Sequence, residues 1–346
     1  MSRRNNSKIP FAIIAILIIA IAAGVTLYMM KGKDEQTMAD ANEDNSVTGT
    51  PAPEKKVQIY SGTDRPIAVM IDNNVNAWPQ AAINDAYMVY EIIVEGGESR
   101  LMALFKNTNV DKIGPVRSSR HYFLDYVMEN DAMYAHFGTS YIAEKQIPQL
   151  GINNINGMLE DGTTYKRDTS RKAPHNAFTS TQKILESANK KGYRTTSDQR
   201  SVLNYTTDEV LLEDGTDATY VKIPYSTYNT VEYNYNEETK MYTRTSKGTQ
   251  QTDLNTGNSI TTKNIIITFA ENYSVESGSV LQEVKNIGKL KGYYITNGKA
   301  IEITCEKTDR KSKTVYKDLQ GNEIKVNDGN TFVQICPINA QVSFTK

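Results

Sequence analysis

Residues 65–73 read Arg65-Pro66-Ile67-Ala68-Val69-Met70-Ile71-Asp72-Asn73, five consecutive apolar residues closed by a carboxylate and an amide. A continuous apolar run of this length is too short for a typical helix and is expected as a strand buried on both faces. The same composition recurs at 87–94 (YMVYEIIV), 100–105 (RLMALF) and 133–137 (MYAHF), which are further expected strands. Between them the pattern predicts a helix over roughly 120–128. Another is expected over 182–191, with Thr179 and Gln182 as a capping box, Ile184, Leu185 and Ala188 on one face, and Gly192 as the stop. Strands mixed with helices predict a layered α/β domain over 57–205.

Composition changes near Tyr205. TYVKIPYS, VEYNYN, KMYTRT, NIIITF, GYYIT, KAIEIT, TVYKDL and TFVQICPI are rich in Thr, Tyr, Val and Ile and are separated by turn signals such as NEET, TNGK, LQGN and NDGN. They predict a mainly antiparallel β domain over 206–346. The fold class expected is therefore α+β, an α/β layered domain followed by an antiparallel β domain, preceded by a single transmembrane helix.

That helix is read from the N-terminus. Arg3, Arg4 and Lys8 precede an uncharged run from Phe11 to Met30, and twenty helical residues span about 30 Å, the thickness of a bilayer's hydrocarbon core. Residues 1–8 are read as a cytoplasmic segment, 9–30 as a transmembrane signal anchor and 31–56 as a disordered stalk, which places the bulk of the chain outside the cell. A cleaved signal peptide ending near Ala20-Ile21-Ala22 is the competing reading. No cysteine precedes Cys305, which excludes a lipid-modified one.

Lysine and arginine total 39 against 40 aspartates and glutamates, a net charge of −1, so the bulk balance favours neither a nucleic-acid partner nor a strongly anionic membrane surface, and any anion binding is expected to be local. The only thiols, Cys305 and Cys336, lie in strand-like segments. They would form a disulfide if those strands were neighbours, and are otherwise two small buried side chains.

All three histidines fall between Arg100 and Asn176, together with the segments GPVRSSRHYF and RKAPHNAF. Ser118 or Ser119 is placed to cap the 120–128 helix and to offer free N–H groups to an anion. Arg117 and Arg120 flank that point with guanidinium forks suited to carboxylate or phosphate. The candidate ligand-binding residues are Arg100, Arg117, Ser118, Arg120, His121, Arg167, His175 and Asn176, with Arg171 and Lys172 near them. The competing reading pairs the arginines with Asp72, Glu91, Glu95 and Glu98 as internal braces. His136, between Ala135 and Phe137, reads as a core histidine. His175 lies on a loop, and Asp72 ends a strand at the edge where open sheets collect ligands. Asp72 and His175 are accordingly the candidates for acid, base or metal ligand, if the site is catalytic. No hydrolase elbow, phosphate-binding Gly-rich loop, zinc-protease helix or kinase set is present, and the residues assign no reaction. No cofactor is expected; the carboxylates would allow a divalent cation, but no ligand spacing supports one, and a site from His121, His136 and His175 has no spacing in its favour either.

Taken together, RPIAVMIDN, PQAAINDAYMVYEIIVEGGESRLMALF, KIGPVRSSRHY, YAHFGTS, RKAPHNAF and GNEIKVNDGNTFVQICP resemble the YerB-like family of bacterial lipoproteins, a domain of unknown function with N- and C-terminal parts. The resemblance implies a membrane-attached protein outside the cytoplasm and brings no reaction. The chain departs from the family in having an apolar span where others carry a lipobox cysteine. In layout alone, a membrane span followed by an α/β domain with clustered arginines is similar to the LytR-CpsA-Psr proteins, which handle polyprenyl-linked phosphates. The expectation is an envelope protein that binds an anionic, phosphorylated glycan or lipid-linked ligand. The rivals are a scaffold or adaptor for cell-wall proteins and a carbohydrate-binding module built on exposed tyrosines.

Overall fold

The structure, a computed structural model, describes residues 55–346. The expected cytoplasmic segment, the signal anchor and all but the last two residues of the stalk lie outside the described residues. Among the described residues no helix is long and apolar enough to cross a membrane. Residues 55–346 form one compact unit around a single contiguous hydrophobic core.

The opening run forms β1 (Ile67–Ile71), followed by β2 (Met88–Ile93) and β3 (Ser99–Phe105), and every residue of the three is buried. They are central strands covered on both faces, which is why their sequences are apolar apart from Glu91, Ser99 and Arg100. Each fully buried aliphatic side chain there contributes about 1.5–3 kcal/mol. Helix α1 (Phe123–Glu129) precedes β4 (Met133–His136), and α2 (Tyr141–Gln149) precedes β5 (Asn154–Asn156). Helix α3 (Thr181–Lys190) closes this half, ending at Gly192 with φ +69°.

The second half adds β6 (Tyr220–Pro224), β7 (Thr230–Asn236), β8 (Met241–Ser246), β9 (Asn264–Ser274), β10 (Gly288–Thr296), β11 (Lys299–Lys307), β12 (Val315–Lys317), β13 (Thr331–Pro337) and β14 (Ser343–Thr345), and no helix. The main sheet runs β12-β11-β10-β9-β13-β2-β3-β1-β4-β5, so residues 57–205 and 206–346 contribute to one sheet. Its seam is the parallel pairing of β2 with β13, Met88 opposite Thr331. A smaller sheet contains β8, β7, β6 and β14 in that order. The mixed, sheet-rich architecture with few helices agrees with the expected α+β class.

Several local expectations are corrected. The second half is not wholly antiparallel, because β9 pairs with β13 in parallel. Helix α1 starts at Phe123 without a side-chain cap, while the Ser119 hydroxyl accepts from the Tyr134 hydroxyl at 2.8 Å. Neither serine therefore caps it. Helix α3 is capped by Ser180, whose hydroxyl accepts from Lys183 N at 3.1 Å, whereas the Thr179 hydroxyl donates to Thr164 O. Helix α2 has little apolar periodicity to announce it; only Ala143 and Ile147 are buried, and Ser140 caps it.

Cys305 lies on β11 and Cys336 on β13, with β10 and β9 between them. At about 4.8 Å per strand the gap is roughly 14 Å, twice the reach of a disulfide. Both thiols are free and buried, and burial pushes the Cys305 thiol up to about 12.

Candidate functional site

Strands β1, β2, β4 and β5 point the same way, so their carboxyl ends share one edge of the sheet. The segment 114–120 crosses that edge. Asp72 N donates to Pro115 O at 2.8 Å and Arg117 N to Met70 O at 2.9 Å, which pins it to the end of β1. Phe137 N donates to Arg117 O and Ser119 N to Gly138 O, both at 3.0 Å, which pins it to the end of β4. Gly114 makes the entry: at φ +143° a Cβ there would sit 2.9 Å from Ala177 O.

Asp72, 4% exposed, is the hub. Its Oδ2 lies 2.7 Å from His175 Nδ1 and 3.2 Å from Arg117 Nε, and its Oδ1 accepts from Asn74 N at 3.1 Å. The Arg117 contact is an ion pair without hydrogen-bond alignment. One carboxylate thus orients an imidazole and a guanidinium by their inner edges. The outer atoms, His175 Nε2 and the Arg117 terminal nitrogens, have no partner among the described residues, and the two side chains keep 17% and 26% exposure.

Arg100 lies behind this pair. It is 6% exposed, donates to Ser118 O, and has no carboxylate within 4.0 Å among the described residues. Burial first, and then repulsion from Arg120 and Arg117, lower its pKa to about 10, so it stays charged at neutral pH. Arg120 is bidentate to Glu95, at 2.5 and 2.8 Å. Burial works to raise the Glu95 carboxyl, but the bond and charge of Arg120, aided by Arg100, bring it below its usual value. Three guanidiniums face two carboxylates, and the cluster keeps one surplus positive charge.

The other glutamates are committed elsewhere. Glu91 meets the fully buried Arg244 at 3.0 Å, and Glu98 pairs with Lys247. Both partners come from the second half of the chain. Among the described residues no three His, Cys, Asp or Glu side chains gather into a metal site.

The model of a protein of unknown function, DUF3048, matches this chain twice: its N-terminal domain over residues 47–194 and its C-terminal domain over 221–333. A relative from Bacillus subtilis (strain 168), described as "Putative lipoprotein YerB", is 31% identical over 294 residues, 82% of this chain and 84% of the relative. The chain belongs to the DUF3048 family. A solved crystal structure of YerB from Bacillus subtilis is similar to this DUF3048 chain with a TM-score of 0.74 at 28% identity, covering 84% of this chain and 97% of that one. A folded chain with little beyond the matched region therefore exists.

In this DUF3048 protein the structure joins Asp72, Arg117 and His175, with Arg100 and Ser118 directly behind them. It places the remaining candidates apart. His121 Nε2 lies 3.0 Å from Glu283, and Arg167 is held by Asp161 at 2.9 Å and by the Asn176 side-chain Oδ1 at 3.0 Å. Arg167 lines a separate cavity of about 380 Å³ with Lys112, Lys166 and Phe178. Arg171 donates to Ala77 O and Pro79 O. His136 is buried, bonded to Gly138 O at 2.9 Å, and burial lowers its pKa to about 4, as a core histidine requires. The three histidines are engaged separately. Sequence reasoning missed Arg244, although it alternates with Tyr242 and Ser246 on the buried face of β8, a spacing that marks it as inward.

Proposed function

We propose that this DUF3048 protein is a single-pass, membrane-anchored protein outside the cytoplasm that binds an anionic, phosphorylated envelope ligand at the Asp72–Arg117–His175 site. The description of the YerB relative as a lipoprotein supports membrane association outside the cytoplasm. The uncharged run from Phe11 to Met30 supplies the anchor that a lipobox cysteine would provide in a lipoprotein.

The observation that carries the ligand reading is the shared Asp72 oxygen. It holds Arg117 and His175 side by side and leaves their outer nitrogens without protein partners among the described residues, while the surplus charge of Arg100 sits buried behind them. A buried guanidinium without a carboxylate is costly, and an anion at the mouth of the site offsets that cost. A phosphate or pyrophosphate would accept from the terminal nitrogens of Arg117 and, with the imidazole carrying both protons, from His175 Nε2. The same Asp72–His175 bond would orient an imidazole for proton transfer, so turnover of the bound ligand is the natural second question.

The test is thermal unfolding of the 55–346 unit against pyrophosphate, polyprenyl phosphate and muropeptides, with and without Mg²⁺. Saturation near a hundred times the dissociation constant stabilises by about 2.7 kcal/mol. A phosphate-dependent shift that vanishes in Arg117→Ala supports the site. No shift across the panel favours the adaptor reading, with the arginines as braces. The carbohydrate reading would rest on Tyr228 and Tyr273, which are exposed, because Tyr225, Tyr233, Tyr242 and Tyr294 are buried.

A further inference from the structure

The single turn Gly157–Glu160 carries two adjacent large apolar side chains into solvent, Met158 at 65% and Leu159 at 82% exposure. Isolated exposed apolar residues are ordinary; a neighbouring pair on one turn calls for a physical reason. Leu159 rims a cleft whose charged walls are Lys166, Lys183, Lys190 and Lys191 against Glu160 and Glu186. Lys183 is tied to Glu186 at 3.0 Å and Lys191 to Glu160 at 3.1 Å. Lys166 and Lys190 have no carboxylate within 4.0 Å among the described residues, so the spare charge beside the apolar pair is positive.

We infer that this turn contacts an anionic phospholipid surface. Met158 and Leu159 enter the boundary between headgroups and acyl chains, and Lys166 and Lys190 lie on the lipid phosphates. An apolar tip set among spare lysines is complementary to such a surface in both respects, the combination by which interfacial segments bind. A nucleic acid would use the lysines and leave the apolar pair in water. A protein partner would need an apolar socket ringed by carboxylates, and it would leave the 55–346 unit unable to float with protein-free vesicles.

The contact bears on the site proposed above without depending on it. Met158 Cγ lies 3.7 Å from where a Cβ on Gly138 would stand, and Ser118 Oγ lies 3.3 Å from the same point. A turn seated on the bilayer therefore brings the carboxyl edge of the sheet to headgroup level.

The experiment is flotation of the 55–346 unit, a compact body with its own core, with vesicles of phosphatidylglycerol and phosphatidylcholine mixed, and of phosphatidylcholine alone. Flotation is expected only with the mixed vesicles. It is expected to be lost in Met158→Ser/Leu159→Ser. In Lys166→Gln/Lys190→Gln it should fall on the order of 25-fold, about fivefold per lysine near an anionic surface. All four side chains are on the surface, so both variants should keep the wild-type circular dichroism and melting temperature. Both surface variants should keep the pyrophosphate-dependent thermal stabilisation of wild type, which separates this inference from the ligand site. No flotation with phosphatidylglycerol, equal flotation with phosphatidylcholine alone, or undiminished flotation of both surface variants overturns it.

Discussion

Asp72 Oδ2 lies 2.7 Å from His175 Nδ1 although 103 residues separate them. The bond joins the end of the first strand to a loop in front of the last helix of the N-terminal half, and Arg117 completes the group from a third segment. Asp72→Asn removes the charge that holds both partners and leaves three guanidiniums facing only Glu95. A charge-assisted hydrogen bond contributes about 1.5–3 kcal/mol. Urea denaturation should show a loss of about 2 kcal/mol, and phosphate-dependent stabilisation should disappear. A variant as stable as wild type that still responds to ligand contradicts the hub role.

Glu91 and Arg244 make a fully buried ion pair across the two halves of the chain. Burial works against the Arg244 charge, but Glu91, Tyr233 and Tyr225 outweigh it and raise its pKa. Arg244→Met leaves Glu91 buried without its cation, and breaking such a pair costs about 3–5 kcal/mol. The double variant Glu91→Gln/Arg244→Met should recover a large part of that loss in a double-mutant cycle. Additive losses would show that the pair is not coupled.

His136 supplies a pH dependence whose sign is fixed by burial. Its folded pKa, about 4, lies below the unfolded value of about 6.5, so the unfolded chain binds the extra proton between those limits. Its contribution to stability is complete above pH 6.5 and is lost as pH falls toward 4, by about 3 kcal/mol in total. Unfolding free energies across that window, compared with His136→Gln, measure it. A variant with the same acid slope as wild type contradicts the assignment.

The corrected cap of α3 separates two neighbouring residues. Ser180→Ala removes the hydroxyl that accepts from Lys183 N and should cost about 1 kcal/mol. Thr179→Ala is no substitute for this test, because the Thr179 hydroxyl serves a different bond, to Thr164 O. A Ser180→Ala protein with an unchanged denaturation midpoint would remove Ser180 as the cap.

What the sequence made legible follows from the range of each interaction. Strands β1 to β4 announce themselves because both faces are buried and their residues are apolar apart from Glu91, Ser99, Arg100 and His136, so no knowledge of partners is needed. Asp72 and His175 were legible as residue types in telling places, a strand end and a loop, but their contact was not, because pairing across 103 residues depends on topology. The parallel seam of β2 with β13 is invisible for the same reason, and with it the partners that the second half supplies to Glu91 and Glu98. Ser118 and Ser119 misled because Gly-Pro-x-x-Ser-Ser reads as a helix start, whereas backbone bonds to β1 and β4 hold the segment extended until Arg120.

The most direct test of the account is a nitrogen-15 NMR titration of the histidine rings of the 55–346 unit with pyrophosphate. The account predicts that the His175 ring signals move in a saturable manner, that those of His121 and His136 stay in place, and that Arg117→Ala abolishes the movement. A His175 ring that does not respond to millimolar pyrophosphate, or one that responds equally without Arg117, contradicts the anion site.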